Sequence, residues 1–523
     1  MQRTDLAKAN QKRYALAAAI MGSFVAGLDA TVVNVALPAI DRDLGGGLAG
    51  QQWVSNAYLL TLGSLILVAG SLADLYGERR VFSIGVGGFG VVSIACALAP
   101  SIGVLVAARA LQGVFGALLT PSALAVIVST FPPQERGGAI GTWTAWSGIS
   151  FVIGPLAGGW LIDVASWRLI FAINVPFVLA TLALVAIAVP EGERRRDAHL
   201  DWLGAALTVL GLAGPVLALI RQPSVGWGSP EVWATGLGGL ALFGLFLAHE
   251  ARTPHPMLPL ELFKRRNFAF GNLETFVMYG GMGALFFFLT LFLQQVAGYD
   301  ALQAGLASLP TTLVMFAFSR RVGRLADRLG PRAFMGGGPL VAAVGLALMQ
   351  RVDADLNYWT DLLPALLVFS AGLVCTVAPL TATVLADADE HNAGIASAVN
   401  NAIARVASLI CVAALGAVVA AQFNAGLDAR LHGPQTPAVQ AARKATLARV
   451  PGVPAVEEAS VEAFHVGIGV AAAMVALGGV LGLVGIRNPR RDVKCADCAE
   501  GAPAVQAPPI GRREAISPRP ARP

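Results

Sequence analysis

The chain has 523 residues, 55% of them hydrophobic and 13% charged, with a formal net charge of +5. A soluble globular protein carries roughly 25% charged residues, so this composition excludes that class. It predicts an all-α polytopic membrane protein whose element lengths are set by the bilayer. A basic balance that would suggest nucleic acid in a soluble chain follows here from the positive-inside rule, so no nucleic-acid partner is expected.

Apolar runs between charged or Pro/Gly breaks predict fourteen spans, near 14–40, 51–72, 81–99, 103–129, 138–162, 169–189, 202–221, 231–249, 268–295, 301–319, 333–350, 361–386, 392–421 and 464–486. The first reads YALAAAIMGSFVAGLDATVVNVALPAI and is too long for a signal-peptide core, so it is expected to be retained. Beyond Tyr14 its one ionisable side chain is Asp29. A carboxylate at that depth costs about 2.5–3.5 kcal/mol on insertion scales. It is either glue to a neighbouring helix or a working group, and intramembrane acids are functional by default. On a helix Asp29 shares a face with Gly22, Val25, Val33 and Ala36, small enough to line a cavity. Pro38 is expected to end or kink this helix.

After span 2 comes GSLADLYGERR (70–80), where Gly70 and Gly77 allow close approach and a tight turn. Asp74 is placed to bond a helix N-terminus or an Arg, and Arg79 and Arg80 to hold the same latch. Span 4 carries Arg109, always protonated and so bound to face the interior, with Gly113 and Gly116 on nearly the same face. A nearby Arg lowers the pKa of a carboxyl and burial raises it, so Arg109 is expected to bias the protonation of an acid, Asp29 first. Span 5 contains GPLAGG, whose Gly154, Pro155, Gly158 and Gly159 combine a kink with a small-residue seam.

Past span 10 lies GRLADRLGPR (323–332), a second copy of the turn with Gly323, Asp327, Arg328 and Gly330. The copies stand eight spans apart, whereas duplicated six-helix halves would place them six apart. The predicted organisation is therefore a segment 1–13, a six-helix half over 14–189, two additional spans within 190–267, a second half over 268–487 and a disordered tail over 488–523. In the second half Glu274, Arg405 and Asn401 are candidate cavity groups, Asn401 lying one turn from Arg405 with Ser408 beside it. Asp387, Asp389 and Glu390 are expected to be solvated. The loop 422–463 should face outward, its PAVQAARKATLARV forming an amphipathic surface helix. Asn34, Trp53, Tyr58, Trp143, Trp146, Phe276 and Met278, with Phe286 and Phe288, could furnish an adaptable pocket or serve as packing and lipid-facing residues.

Alternate short loops hold most Lys and Arg, including Arg79, Arg80, Arg136, Arg194, Arg195, Arg196, Lys264 and Arg265, which places both termini in the cytoplasm. Cys96, Cys375 and Cys411 read as small packing residues, and the CADC of Cys495 and Cys498 lacks the second pair a zinc site wants, so no metal is expected. No HExxH, P-loop or GxSxG is present. No enzyme and no cofactor are therefore expected, and an ion gradient would supply the energy. The excess of Arg over Lys, with abundant Ala and Gly, fits a bacterial GC-rich source.

Taken with LDATVVNVALP (28–38), QWVSNAYLL (52–60), RALQGVFGA (109–117) and WRLIFAINVP (167–176), these motifs make the chain resemble the major facilitator superfamily over about 14–490. The resemblance is to its fourteen-helix drug:proton antiporters of the EmrB/QacA type. It implies two six-helix bundles plus two inserted helices in a bacterial cytoplasmic membrane, as a monomer. It implies export of lipophilic, often cationic, small molecules in exchange for protons by alternating access. One metabolite, antibiotic or lipid is the alternative cargo, and a non-transporting receptor the more remote reading. Arg109 would tune proton transfer, the two turns would gate the cytoplasmic side, and GPLAGG would be a hinge associated with export. The chain departs from the pattern at Leu75 and Glu78, where basic residues are usual, and at Trp146 and Ser150, where glycines are common.

Overall fold

The computed structural model describes residues 2–191, 200–254, 256–386, 393–431 and 436–488. Arg194–Arg196, Asp387, Asp389, Glu390 and the tail with Cys495 and Cys498 lie outside these residues. Within them the regular structure is helical throughout. The first seven helices are α1 (Gln2–Leu44), α2 (Gly47–Tyr76), α3 (Glu78–Ala97), α4 (Ile102–Thr130), α5 (Pro133–Val164), α6 (Leu169–Ala172) and α7 (Asn174–Ala188). A hairpin of α8 (Trp202–Val225) and α9 (Pro230–Glu250) follows. The remainder is α10 (Arg266–Gln295), α11 (Ala301–Ala307), α12 (Leu309–Leu329), α13 (Pro331–Leu348), α14 (Leu363–Ala386), α15 (Ala393–Arg430), α16 (Pro437–Ala445) and α17 (Pro454–Gly485). With α6–α7 and α11–α12 each making one crossing, fourteen helices among the described residues are long and apolar enough to span a membrane, as expected.

Local chemistry sets many of the boundaries. Gly77 and Gly330 turn the chain at φ 90° and 92°, a region that favours glycine. Asp201 Oδ1 caps α8 by accepting from the Gly204 amide at 2.8 Å, and its carboxylate also meets His249 Nε2 of α9 at 3.0 Å. Burial works against that carboxylate, but the Gly204 amide and then His249 outweigh it and hold its pKa below the ordinary value. Asp300 and Gln303 form a capping box that starts α11.

Helices α1, α3, α4, α5 and α7 pack around one another, with α2 against α4. Helices α10, α12, α13, α14, α15 and α17 form a second group. The groups meet where α2 lies on α15, α5 on α11 and α1 on α10, while α8 rests on both α2 and α15.

Several predicted boundaries shift. The first helix continues through Pro38 to Leu44, rather than ending there. Helix α12 runs to Leu329, ten residues past the predicted limit of 319, because Arg320, Arg321 and Arg324 ride on its outer turns. Helix α15 extends to Arg430 and α17 begins at Pro454, which shortens the predicted 422–463 loop to about half its length. Its PAVQAARKA is helical, but Val439 and Ala442 are buried in the protein core, so that face is not offered to a membrane.

Both repeated turns sit at one end of the bundle, here the basic end. The opposite end is closed between the two groups: Asp163 at the foot of α5 accepts from the Ala301 and Leu302 amides at 3.2 and 2.9 Å. A Cβ on Gly159 would fall 2.5 Å from Leu302 Cα, and one on Gly305 would fall 2.6 Å from the Pro155 carbonyl oxygen. At the basic end α5 is exposed on most sides from Gln134 to Gly148, and α12 exposes Phe316 and Leu329 by 76% and 63%. The groups are joined by α5 and α11 at the end away from the repeated turns.

Candidate proton and cargo site

Close approach of α2 and α4 creates the central feature. A Cβ on Gly113 would lie 2.4 Å from the Tyr58 carbonyl oxygen, and Thr61 Oγ1 donates to the Ala110 carbonyl at 2.7 Å. That contact delivers Arg109 to the Tyr58 ring, with guanidinium carbon and ring centroid 4.3 Å apart. Arg109 Nε donates to the Val54 carbonyl at 3.1 Å, and Nη1 donates to Asp29 Oδ2 at 2.5 Å and to Gln112 Oε1 at 2.7 Å. Asp29 Oδ1 accepts from Gln112 Nε2 at 3.0 Å and from Asn174 Nδ2 at 3.4 Å, while Gln112 also donates to Ser93 Oγ at 2.9 Å.

Asp29 is 0% and Arg109 1% exposed. Burying two charges is tolerable only because each is paired and its remaining donors or acceptors are met. One proton on Asp29 would remove the anionic partner while leaving Arg109 its bonds to Gln112 and to α2. The unit is thus a charge-sensitive clasp joining α1, α4 and α2.

Asp29 does not line a chamber between the two groups, as its small-residue face suggested. It points into the first group, and that face packs on α3: a Cβ on Gly22 would lie 2.5 Å from Phe82 Cζ, and Val25, Val33 and Ala36 are buried. Gln112, Ser93, Asn174 and the Val54 carbonyl were missed. Gln112 and Asn174 stand inside the motifs quoted for Arg109 and for WRLIFAINVP, where a polar side chain in an apolar span was the available signal.

Glu274 does not sit at a wet interface. It is 0% exposed beside Met278 and Gly478 of α17, and neither carboxyl oxygen has a hydrogen-bond partner among the described residues. Arg405 is partly buried on α15, against Gly63 near the middle of α2, and Asn401 is exposed one turn nearer the basic end.

Among the proposed pocket residues, Trp53 packs with α8 and α15, Trp143 Nε1 donates to Ser23 Oγ at 2.9 Å inside the first group, and Met278 is a core residue. Phe288 belongs to the core as well, with Phe286 packed against it. Asn34 and Phe276 are partly buried, Tyr58 is buried against Arg109, and Trp146 is 55% exposed on the open stretch of α5.

Among the described residues, Asp74 and Asp327 make no bond across the two groups. Asp74 and Asp327 are exposed, Gly70 faces open space, and Gly323 only grazes Ala378. Arg80 and Arg328 are exposed as well. Arg79 instead donates to the Ala186 carbonyl at the end of α7 at 3.4 Å, and Arg332 donates to the Leu483 carbonyl at the end of α17 at 2.7 Å. Each secures the last turn of a helix in its own group, where a cation is favoured. In GPLAGG, Gly154 and Gly158 seat α5 on Thr31 and Val32 of α1, Gly159 meets α11, and α5 continues through Pro155.

The family model described as Major Facilitator Superfamily matches residues 19–412. The puromycin resistance protein of Streptomyces alboniger is 39% identical over 397 residues, covering 75% of this chain and 78% of that protein. The tetracenomycin C resistance and export protein of Streptomyces glaucescens is 33% identical over 411 residues, covering 78% of this chain and 76% of that protein. Among solved structures, an inward-facing, unoccupied bacterial homologue of the human lysosomal transporter Spinster aligns with a TM-score of 0.63 at 17% identity, over 92% of this chain and 99% of that one.

Proposed function

Because the chain belongs to the major facilitator superfamily, and is thus a multi-pass membrane transporter rather than an enzyme, we propose that it exports lipophilic small molecules, cations among them, in exchange for protons. The observation that carries this reading is the buried clasp of Asp29 and Arg109, tied to α2 through the Val54 carbonyl. Protonating Asp29 cancels its charge, and Arg109 then shifts its grip toward Gln112 and α2. Because α2 lies on α15, the shift is felt where the two helix groups meet. With Asp29 sealed from the chamber, proton and cargo compete through Arg109 and α2 rather than by sharing one carboxylate.

The Lys/Arg distribution supports a cytoplasmic basic end. The conformation is then inward-open, with Asp29 held by Arg109 and the chamber ready for cargo. Two halves rocking about a central site would pass that cargo to the other side. A proton crossing 100 mV supplies about 2.3 kcal/mol, roughly fiftyfold in cargo gradient. Relatives named for resistance to puromycin and export of tetracenomycin C support outward transport of antibiotic-like compounds, and leave a single-cargo exporter as the second reading.

The test is transport by purified protein in proteoliposomes under an imposed pH gradient, with a panel of lipophilic cargoes. Gradient-dependent movement of several supports multidrug export, and movement of one supports the dedicated exporter. Movement of none, with no proton flux, contradicts both and leaves a receptor.

A further inference from the structure

We propose that Arg405 is an anchor for an acidic oxygen of the cargo, so that the chamber selects lipophilic acids, carboxylates or ionised phenols, over cations of the same shape. This rests on the exporter reading and ranks its cargoes, with acids bound in preference to cations.

Arginine stays protonated under all relevant conditions and offers five donors with no acceptor. At mid-membrane depth such a group is stable only with a partner or in a wet cavity. Arg405 sits at that depth, since Gly63 beside it lies midway along α2. Yet among the described residues it makes no ion pair or hydrogen bond. Arg109, by contrast, has every nearby acceptor committed to it.

The placement of Arg405 is also between the groups: α15 carries it and α2 packs on its stem. Ser408, one turn on, donates to the Tyr279 carbonyl at 3.0 Å and fixes α15 against α10. The two acids that might neutralise Arg405 are unavailable. Asp29 is spent on Arg109 and Gln112, and Glu274 is sealed on the α17 side of α10. Among the described residues Arg405 is therefore an unbalanced guanidinium, with Asn401 exposed on the same face one turn toward the basic end. A planar fork of donors suits a carboxylate or a phenolate.

Fluorescein and rhodamine 123 share a xanthene ring and differ in charge, so equilibrium binding of each to the purified full-length protein, read by fluorescence anisotropy at pH 7.5, isolates the charge preference. Wild type is expected to bind fluorescein more tightly than rhodamine 123. Arg405→Gln should weaken fluorescein by about tenfold or more, as expected for losing a charged hydrogen bond, and leave rhodamine 123 unchanged or tighter. Arg405→Lys should recover part of the loss. Because Arg405 holds no other side chain in place, neither variant leaves a buried group unpaired. Wild type preferring rhodamine 123 or binding neither dye, or Arg405→Gln weakening both dyes equally, overturns the proposal. Transport under a pH gradient without any such charge preference would leave the exporter reading standing and remove this one.

Discussion

Asp29 and Glu274 show how differently one residue type is handled in the same protein. Asp29 has three side-chain donors within reach, two of them neutral amides and one a guanidinium. Glu274 has none among the described residues. An unmet buried carboxyl costs about 1–3 kcal/mol by mutational measures. Glu274→Met, close in volume and next to Met278, should therefore raise stability by about that amount, seen as a higher melting temperature of the purified protein. A lower melting temperature would mean the carboxyl has a stabilising partner. The sequence exposed both acids, and Arg109, because an ionisable side chain in an apolar run is conspicuous. It did not reveal that Asp29 looks inward, because a face of small residues reads equally as a cavity wall or as a helix seam. Gly22 against Phe82 decides for the seam.

Among elements, the fourteen crossings were legible because each is a long apolar run, while their ends were not. Charged residues on α12 looked like a loop, yet Arg320, Arg321 and Arg324 extend the helix beyond the apolar stretch. The repeated turns were visible as text, and the structure adds a shared duty. Arg79 and Arg332 stand two residues after Gly77 and Gly330, and each bonds a carbonyl in the last turn of its group's final helix. At the opposite end, α5 and α11 are joined by a lone carboxylate on two amides at a helix start. Asp163→Ala should remove about 1–3 kcal/mol from that closure, enough to shift its population roughly tenfold. Spin labels at Val164 and Gln303 would then show a new, longer distance component. An unchanged distribution would place the closing energy elsewhere, in the glycine seam of Gly159 and Gly305.

For the whole molecule, the α8–α9 hairpin is the departure from a simple duplication. Helix α8 rests on α2 and α15 together, so it covers one seam between the groups. The clasp of Asp29 and Arg109 is tied to α2, on the covered seam, and Arg405 sits across that seam. A proton on Asp29 and a ligand on Arg405 would therefore act on one contact from its two sides. The most direct measurement is proton release on adding a transported cargo to purified protein, followed with a pH-sensitive dye, for wild type and Asp29→Asn. The account predicts cargo-linked release from wild type and none from Asp29→Asn, with cargo binding retained. Equal release from both proteins would contradict it.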